Sequence, residues 1–359
     1  MNGTAVESRV VEYGGTSVVL ASYGARAAAV VERVCGFFAT HATIGKDAGG
    51  RAPFRVLEIG DWADLPQDWA RAATDPVVIR ESSARDFNLS GLRGRVEERD
   101  VVVCAATGTA FGFAPGNATA QLYAGDSSFI QLVELVRDLV IKNEEAAGRL
   151  LLHASAAAVD GSVVAAVGPK GAGKSTFLLD LVARHGFGYT SGDKLFLDVR
   201  DGVLTGQGWP DFPHLGIGTI LGHPSLAGAL RADGYDVEPA QAHRKLLLDP
   251  AVLESAFGLR YQPGPLPLSA VVLPHVGDAA DGRLEPAGVE RLGEILGQLE
   301  YSQDNAWMQW HSFAASPSRA ALEPARAAIV EELGRVPLWS ASGRAPYPGV
   351  DRLAGGDAR

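Results

Sequence analysis

Near the middle of the chain, Gly168-Pro169-Lys170-Gly171-Ala172-Gly173-Lys174-Ser175 satisfies the pattern G-x-x-x-x-G-K-S/T in full. Residues of these types at this spacing suit one task, the gripping of a polyphosphate. Gly168, Gly171 and Gly173 are expected to take positive φ and turn main-chain N–H groups inward, forming an anion cradle completed by the N-terminus of the next helix. Lys174 then reaches the β- and γ-phosphates of ATP as a point charge, and the Ser175 hydroxyl is a ligand for Mg²⁺. The nucleotide-binding set is therefore Gly168, Pro169, Lys170, Gly171, Ala172, Gly173, Lys174, Ser175 and Thr176, with Lys170 facing solvent.

A cradle of this kind needs a strand before it and a helix after it, and both are legible. The apolar runs Leu150 to Val159 and Val163 to Val167 read as strands joined by a turn at Asp160-Gly161. From Ser175 onward Phe177, Leu178, Leu181 and Val182 define one buried helical face, and Gly186 marks a left-handed stop. Phe187 to Ser191, Lys194 to Val199 and Val203 to Thr205 read as short strands, the last two joined by a turn at Arg200-Asp201-Gly202. Leu268 to Val276 is a further strand, and residues 318 to 335 a helix.

Earlier in the chain, strands are expected at Thr16 to Leu20, Phe54 to Ile59, Pro76 to Ile79, Val101 to Ala105 and Thr119 to Tyr123. Gly24 to Phe38 has helical spacing, and the last two strands read as an antiparallel meander across a Gly/Pro-rich stretch. A helix opens at Ser128, whose spacing from Gln131 fits a capping box, and runs to about Glu145 on the apolar face Phe129, Leu132, Val133, Val136, Leu139 and Val140. The tail from Ala341, rich in Gly, Pro and Arg, reads as loose.

At 359 residues two domains are expected rather than one. A formal net charge of −10 disfavours nucleic acid and anionic lipid as general partners, because both reward a surplus of Lys and Arg. Cys35 and Cys104 lack metal-like or disulfide-framework spacing and read as buried hydrophobes. The N-terminal residues lack the basic and apolar regions of a secretory signal, and no apolar run approaches membrane-spanning length, so cytoplasmic localisation is expected.

Taken with His153 and Asp193, the stretch from about 148 to 200 resembles the kinase domain of the HPr kinase/phosphorylase family. The resemblance rests on Leu150-Leu151-Leu152-His153, the hairpin at Asp160-Gly161, the loop Gly168 to Ser175, the helix closing at Gly186, and Ser191-Gly192-Asp193-Lys194. It is similar also to stand-alone kinase-like proteins of bacterial natural-product clusters. The resemblance implies a P-loop fold akin to phosphoenolpyruvate carboxykinase, MgATP as donor, a hydroxyl as acceptor, and frequent homo-oligomerisation. Where the family has two adjacent aspartates this chain has Gly192-Asp193, so the carboxylate credited with accepting the hydroxyl proton is glycine here. The family's later acidic signature has no clear counterpart in Gln207-Gly208-Trp209-Pro210-Asp211, although Asp211 is in a position to approach the site.

Asp193 is then the candidate carboxylate, either holding Mg²⁺ or orienting the acceptor, the plain alternative being a turn aspartate beside Gly192. Asp198, which ends the run Leu195-Phe196-Leu197, competes for the metal role. His153 would hydrogen-bond a carboxylate and adjust its basicity. His243-Arg244-Lys245 would clamp a phosphate or form a solvated charge run. Trp209, Phe212, Trp307 and Trp310 line a pocket or fill the core.

The expected architecture is α/β: a small N-terminal α/β domain over residues 1–125, a P-loop domain of the HPr kinase and phosphoenolpyruvate carboxykinase type over 126–340, and a flexible tail over 341–359. The expected function is an ATP-dependent kinase acting on a hydroxyl of a peptide, protein or small natural-product metabolite. The catalytic set is Asp193, His153 and Lys174, and the metal set Ser175 and Asp193. The rival is a nucleotide-hydrolysing switch or assembly factor without an acceptor, which the loss of an aspartate at position 192 favours. No LSGGQ-like segment follows the loop and no NKxD-like segment is present, which disfavours ABC transport ATPases and GTPases.

Overall fold

The computed structural model describes residues 5–46, 52–81, 88–242, 244–248, 250–277 and 281–354. The protein is mixed α/β, with large mixed sheets and nine α-helices among the described residues. It divides into two compact units, one comprising Met1–Gly148 with Tyr301–Leu322, the other Arg149–Glu300 with Glu323–Arg359.

In the first unit, strands β1 (Glu7–Tyr13) and β2 (Thr16–Ser22) form a hairpin and lead into helix α1 (Ala25–Phe38) and strand β3 (Thr43–Gly45). Strand β4 (Arg55–Asp61), helix α2 (Gln67–Ala72), strands β5 (Asp75–Arg80), β6 (Leu89–Val96), β7 (Arg99–Cys104), β8 (Thr109–Phe113) and β9 (Thr119–Ala124), and helix α3 (Phe129–Ala146) follow. The strands make one sheet in the order β3-β1-β2-β4-β9-β8-β7-β6-β5. The five early strands expected from sequence are all present, but the meander has a third member. Strand β8, with every residue buried, lies between β7 and β9 where a Gly/Pro-rich connection was expected. Its residues show no polar alternation, because both of its faces are covered.

Helix α3 belongs to this first unit, although the sequence places it at the start of the second domain. Its expected apolar face is largely buried, but so are Asp138, Lys142, Glu144 and Glu145. These polar groups have partners distant in sequence: Trp310 Nε1 donates to Asp138 at 2.8 Å, Lys142 Nζ to the Met308 carbonyl at 2.5 Å, and the Ser302 amide to Glu145 at 2.8 Å. The segment 301–322 returns to the unit because these groups would otherwise be buried unsatisfied. Trp310 also packs on Phe111 and Phe113, with ring centroids 5.0 and 5.9 Å away. The capping box does not form. Ser128 Oγ instead receives the Gly125 amide just after β9, and Gln131 donates to Thr107 Oγ1, tying the helix start to the turn before β8.

The second unit contains β10 (Leu150–Val159), β11 (Ser162–Val167), α4 (Lys174–His185), β12 (Gly188–Ser191), β13 (Lys194–Arg200) and β14 (Val203–Gly208). Next come β15 (His214–Gly216), α5 (Ile217–Leu221), α6 (Pro224–Ala232), β16 (Lys245–Leu247), α7 (Pro250–Phe257), β17 (Leu266–His275), β18 (Arg283–Pro286), α8 (Leu292–Leu296) and β19 (Leu299–Glu300). Helix α9 (Arg319–Leu333), which belongs to this unit from Glu323 onward, and strand β20 (Leu338–Ser342) complete the order. The hairpin turns at Asp160-Gly161 and Asp201-Gly202 have two successive positive φ values, as two-residue hairpins require.

The pairings β11–β10–β13–β14–β17–β11 close on themselves, with β20 and β18 continuing from β17. Strands β11, β17 and β20 are parallel neighbours, so their carboxyl ends, at Val167, His275 and Ser342, share one edge. Helix α4 buries Phe177, Leu178, Leu181 and Val182 in a core with Val164, Val272 and Leu353. The tail reading is corrected for 341–354: Ala341, Tyr347, Val350 and Leu353 are buried in that core, and Tyr347 packs on Phe177 at 5.2 Å. Composition misled because these few apolar residues are spaced among Gly and Pro yet fall at contact positions; residues 355–359 lie outside the described set. Cys35 and Cys104 are free and buried, as expected, and burial pushes both thiols up to about 12. No helix is long and apolar enough to cross a membrane.

Candidate functional site

Residues Gly168 to Gly173 connect β11 to α4 at the shared carboxyl edge. Gly173 has φ of 102° and Gly171 of 89°, conformations that side chains rarely adopt. At Gly173 a Cβ would also lie 2.3 Å from Val276 Cγ2, just beyond β17, so the loop is pressed against that strand end. Gly168 departs from expectation, for it is not left-handed. What restricts it is space, since a Cβ there would sit 3.1 Å from Ala172 Cβ. The Ala172 amide does not point into a cradle; it donates to the Pro169 carbonyl at 3.1 Å. Val276 N then donates to the Ala172 carbonyl at 3.0 Å, fixing the loop's far side.

Lys174 opens α4 and is buried, with Nζ donating to the carbonyls of Gly168 at 2.6 Å and Pro169 at 3.3 Å. Burial lowers its pKa, Asp193 raises it, Lys245 lowers it and Glu300 raises it. Those causes place two carboxylates and a second cation within electrostatic reach of the ammonium. Ser175 is half-buried in the first helical turn, and Thr176 Oγ1 is 2.9 Å from Thr219 Oγ1.

The acidic side is assembled by a change of partners along β10. Leu150 to His153 pair with β13, whereas Ala154 to Val159 pair with β11, so His153 sits where the strand passes from one neighbour to the other. Ala154 is opposite Val167, the last residue before the loop, and His153 is opposite Lys194. His153 Nδ1 is thereby 3.3 Å from Asp193 Oδ1, without hydrogen-bond alignment, and 3.6 Å from Glu300 Oε1. Burial lowers the pKa of His153, Asp193 and Glu300 raise it, and Lys174 and Lys194 lower it. Lys194 Nζ bonds Glu300 and lies 3.9 Å from Asp193.

His153, Asp193 and Lys174 therefore share one neighbourhood, as the resemblance implies. Glu300 was not foreseen. It comes from a two-residue strand paired with Leu151 and Leu152, and no motif marks it. Asp211 is buried, with Oδ1 3.5 Å from the Gly192 amide. The other metal candidate, Asp198, is held by Arg200 Nε at 2.7 Å and Arg149 Nε at 3.3 Å. It lies four residues beyond Lys194 on β13, about 13 Å along the strand, and so belongs to a surface ion-pair group.

The basic trio divides. His243 lies outside the described residues, Arg244 turns to Gln241 Oε1 at 2.9 Å, and Lys245 is the member that opposes the charge of Lys174. Trp209 is fully buried against Phe196, and Trp310 fills the core of the first unit, to which the exposed Trp307 also belongs. Among the described residues no three His, Cys, Asp or Glu side chains are arranged to hold a metal. Set against models of known protein families the chain matches none, and no curated protein matches it.

Proposed function

We propose that the chain is an ATP-dependent kinase of the HPr-kinase-like P-loop type, which transfers the γ-phosphoryl group to a hydroxyl of a peptide, protein or small natural-product metabolite. The observation that carries this reading is the juxtaposition of Lys174, at the head of a helix behind a glycine loop, with His153 on β10 and Asp193 in the bend that leads into β13. Phosphoryl transfer needs positioning and charge neutralisation more than covalent help, and this arrangement offers both signs of charge at one sheet edge. Lys174, with the amides at the start of α4, would neutralise the phosphates. Lys245 adds a second cation in reach of the same point.

Mg²⁺ would be shared between the phosphates, the Ser175 hydroxyl and Asp193, which suits a site without a cluster of three protein ligands; bound there, it supplies charge neutralisation of the β- and γ-oxygens. His153, opposite Lys194 and beside Asp193, orients that carboxylate. The second reading, a nucleotide-hydrolysing switch, is favoured by Gly192 alone.

Incubation with γ-labelled ATP and fractionated cell extract separates the two. Label on an alcohol supports the kinase. Label released only as free phosphate favours the switch, and failure to bind ATP removes both.

A further inference from the structure

The space beside Gly192 is occupied. A Cβ on that residue would lie 2.4 Å from Tyr189 Oη and 2.5 Å from Asp211 Oδ2, well inside contact distance. Asp211, in the turn after β14, presents its carboxylate at the position a side chain on residue 192 would claim. Asp193 follows Gly192 directly. Two carboxylates thus flank one glycine, the first by sequence and the second by folding.

Asp211 is buried beside Gly192, with Oδ1 3.5 Å from the Gly192 amide. The Tyr189 phenol beside Gly192 is fully enclosed, and its pKa is held well above its ordinary value by burial and then by the charges of Asp211, Tyr261 and Asp193. Tyr189 therefore keeps its O–H, and its hydroxyl, which has no aligned hydrogen-bond partner among the described residues, stands with the Asp211 carboxylate around Gly192 as a neutral group rather than as a second anion. Asp193 acts on both Tyr189 and Lys174, so Asp211, Tyr189, Asp193 and the Lys174 ammonium form one connected electrostatic group. Asp193 itself is beside His153 and Lys194.

Resting on the kinase reading, we propose that Asp211 is the second carboxylate of the phosphoryl-transfer centre and takes the proton of the acceptor hydroxyl, Gly192 being the bare position that admits it. In the transfer the acceptor O–H bond breaks and its proton passes to Asp211. The acceptor oxygen bonds to the γ-phosphorus of ATP, the bond from that phosphorus to the bridging oxygen breaks, and the electron pair leaves on ADP. Asp211 then returns the proton to solvent. Nothing is oxidised or reduced.

The test uses the full chain, MgATP carrying γ-label, and either extract or water as acceptor, with ATP affinity measured separately on a fluorescent analogue. Asp211→Asn is expected to keep ATP affinity within about 2-fold and to lower transfer about 100-fold or more, within the range general-base removal gives. It should also abolish the acid limb of the pH–rate profile. Gly192→Ala, whose methyl must displace Asp211, should lower transfer in the same direction at unchanged ATP affinity. The double variant Gly192→Asp with Asp211→Gly moves the carboxylate across the gap and should recover part of the rate. Turnover of Asp211→Asn at the wild-type rate, or an acid limb that persists unchanged, overturns the proposal while leaving the kinase reading intact. If Asp211→Asn does not fold, the Gly192→Ala variant decides by the same readings. A wild-type chain that holds ATP yet labels no alcohol, releasing phosphate only to water or not at all, sinks the kinase reading, and the role of Asp211 with it.

Discussion

Lys174 folds back on its own loop, donating to the carbonyls of Gly168 and Pro169, and a bound phosphate must replace those acceptors. Lys174→Ala is expected to weaken ATP binding by about 2 kcal/mol, roughly 30-fold, the scale of a hydrogen bond to a charged group; titration calorimetry showing unchanged affinity would contradict the phosphate-loop assignment. Asp198→Asn is the matching control, because that carboxylate is spent on Arg149 and Arg200, and it should leave both ATP affinity and turnover as they are. Glu300 raises the pKa of His153. In Glu300→Gln the imidazole should therefore titrate at lower pH than in the wild type, which NMR of the ring protons can follow; an equal or higher value would separate the two residues. At this scale the legible part was what one short segment contains. The loop residues announce themselves by order, whereas Glu300 reaches His153 through two backbone pairings made 147 residues later in the chain, and Asp211 reaches Gly192 through a turn.

The elements carrying those residues were visible where one periodicity dominates. Helix α4 begins and ends within a residue of expectation, because its apolar face and Gly186 agree. Gly186 has φ of 72° and open space around its would-be Cβ, so Gly186→Ala should cost about 1–2 kcal/mol from backbone strain alone and leave ATP affinity unaltered. Gly173→Ala combines the same strain with the 2.3 Å encounter with Val276; it should destroy nucleotide binding, and a variant that still binds would mean that the loop and β17 are not in contact. Strand β8 escaped notice because Thr109-Ala110-Phe111-Gly112-Phe113 is buried throughout and carries no alternation to read. The capping box at Ser128 failed for a related reason, since the Ser128 hydroxyl is taken by Thr109 and the Gly125 amide and Gln131 is drawn to Thr107.

Taken whole, the molecule stores buried charge in its first unit. Burial raises Asp138 and Glu145 to about 7 each, above the ordinary carboxylate range, and pushes His311 well below its ordinary value. A carboxyl whose folded pKa is raised adds stability below the unfolded value, near 4, and loses it as pH climbs through the folded one, while His311 weighs against folding only below about 6.5. Thermal stability of this unit should therefore fall between about pH 4 and 7, most steeply above about 6.5 where His311 no longer offsets the carboxyls, and Asp138→Asn should flatten that slope; a slope unchanged by the substitution would remove Asp138 as its source. In the second unit, ending the chain after Ser342 removes the buried side chains of Tyr347, Val350 and Leu353. At about 1.5–3 kcal/mol each for Val350 and Leu353, the shortened protein should melt well below the full chain. The discontinuity of the first unit has a temporal consequence. On a ribosome, Phe111 and Phe113 emerge long before Trp310, so a nascent chain halted at Gly148 carries an uncapped aromatic surface and buried-to-be carboxylates with no donors. The leading half must therefore wait, incomplete, while roughly 150 further residues are synthesised, and a chaperone that recognises exposed apolar surface should be found on chains stalled in that interval.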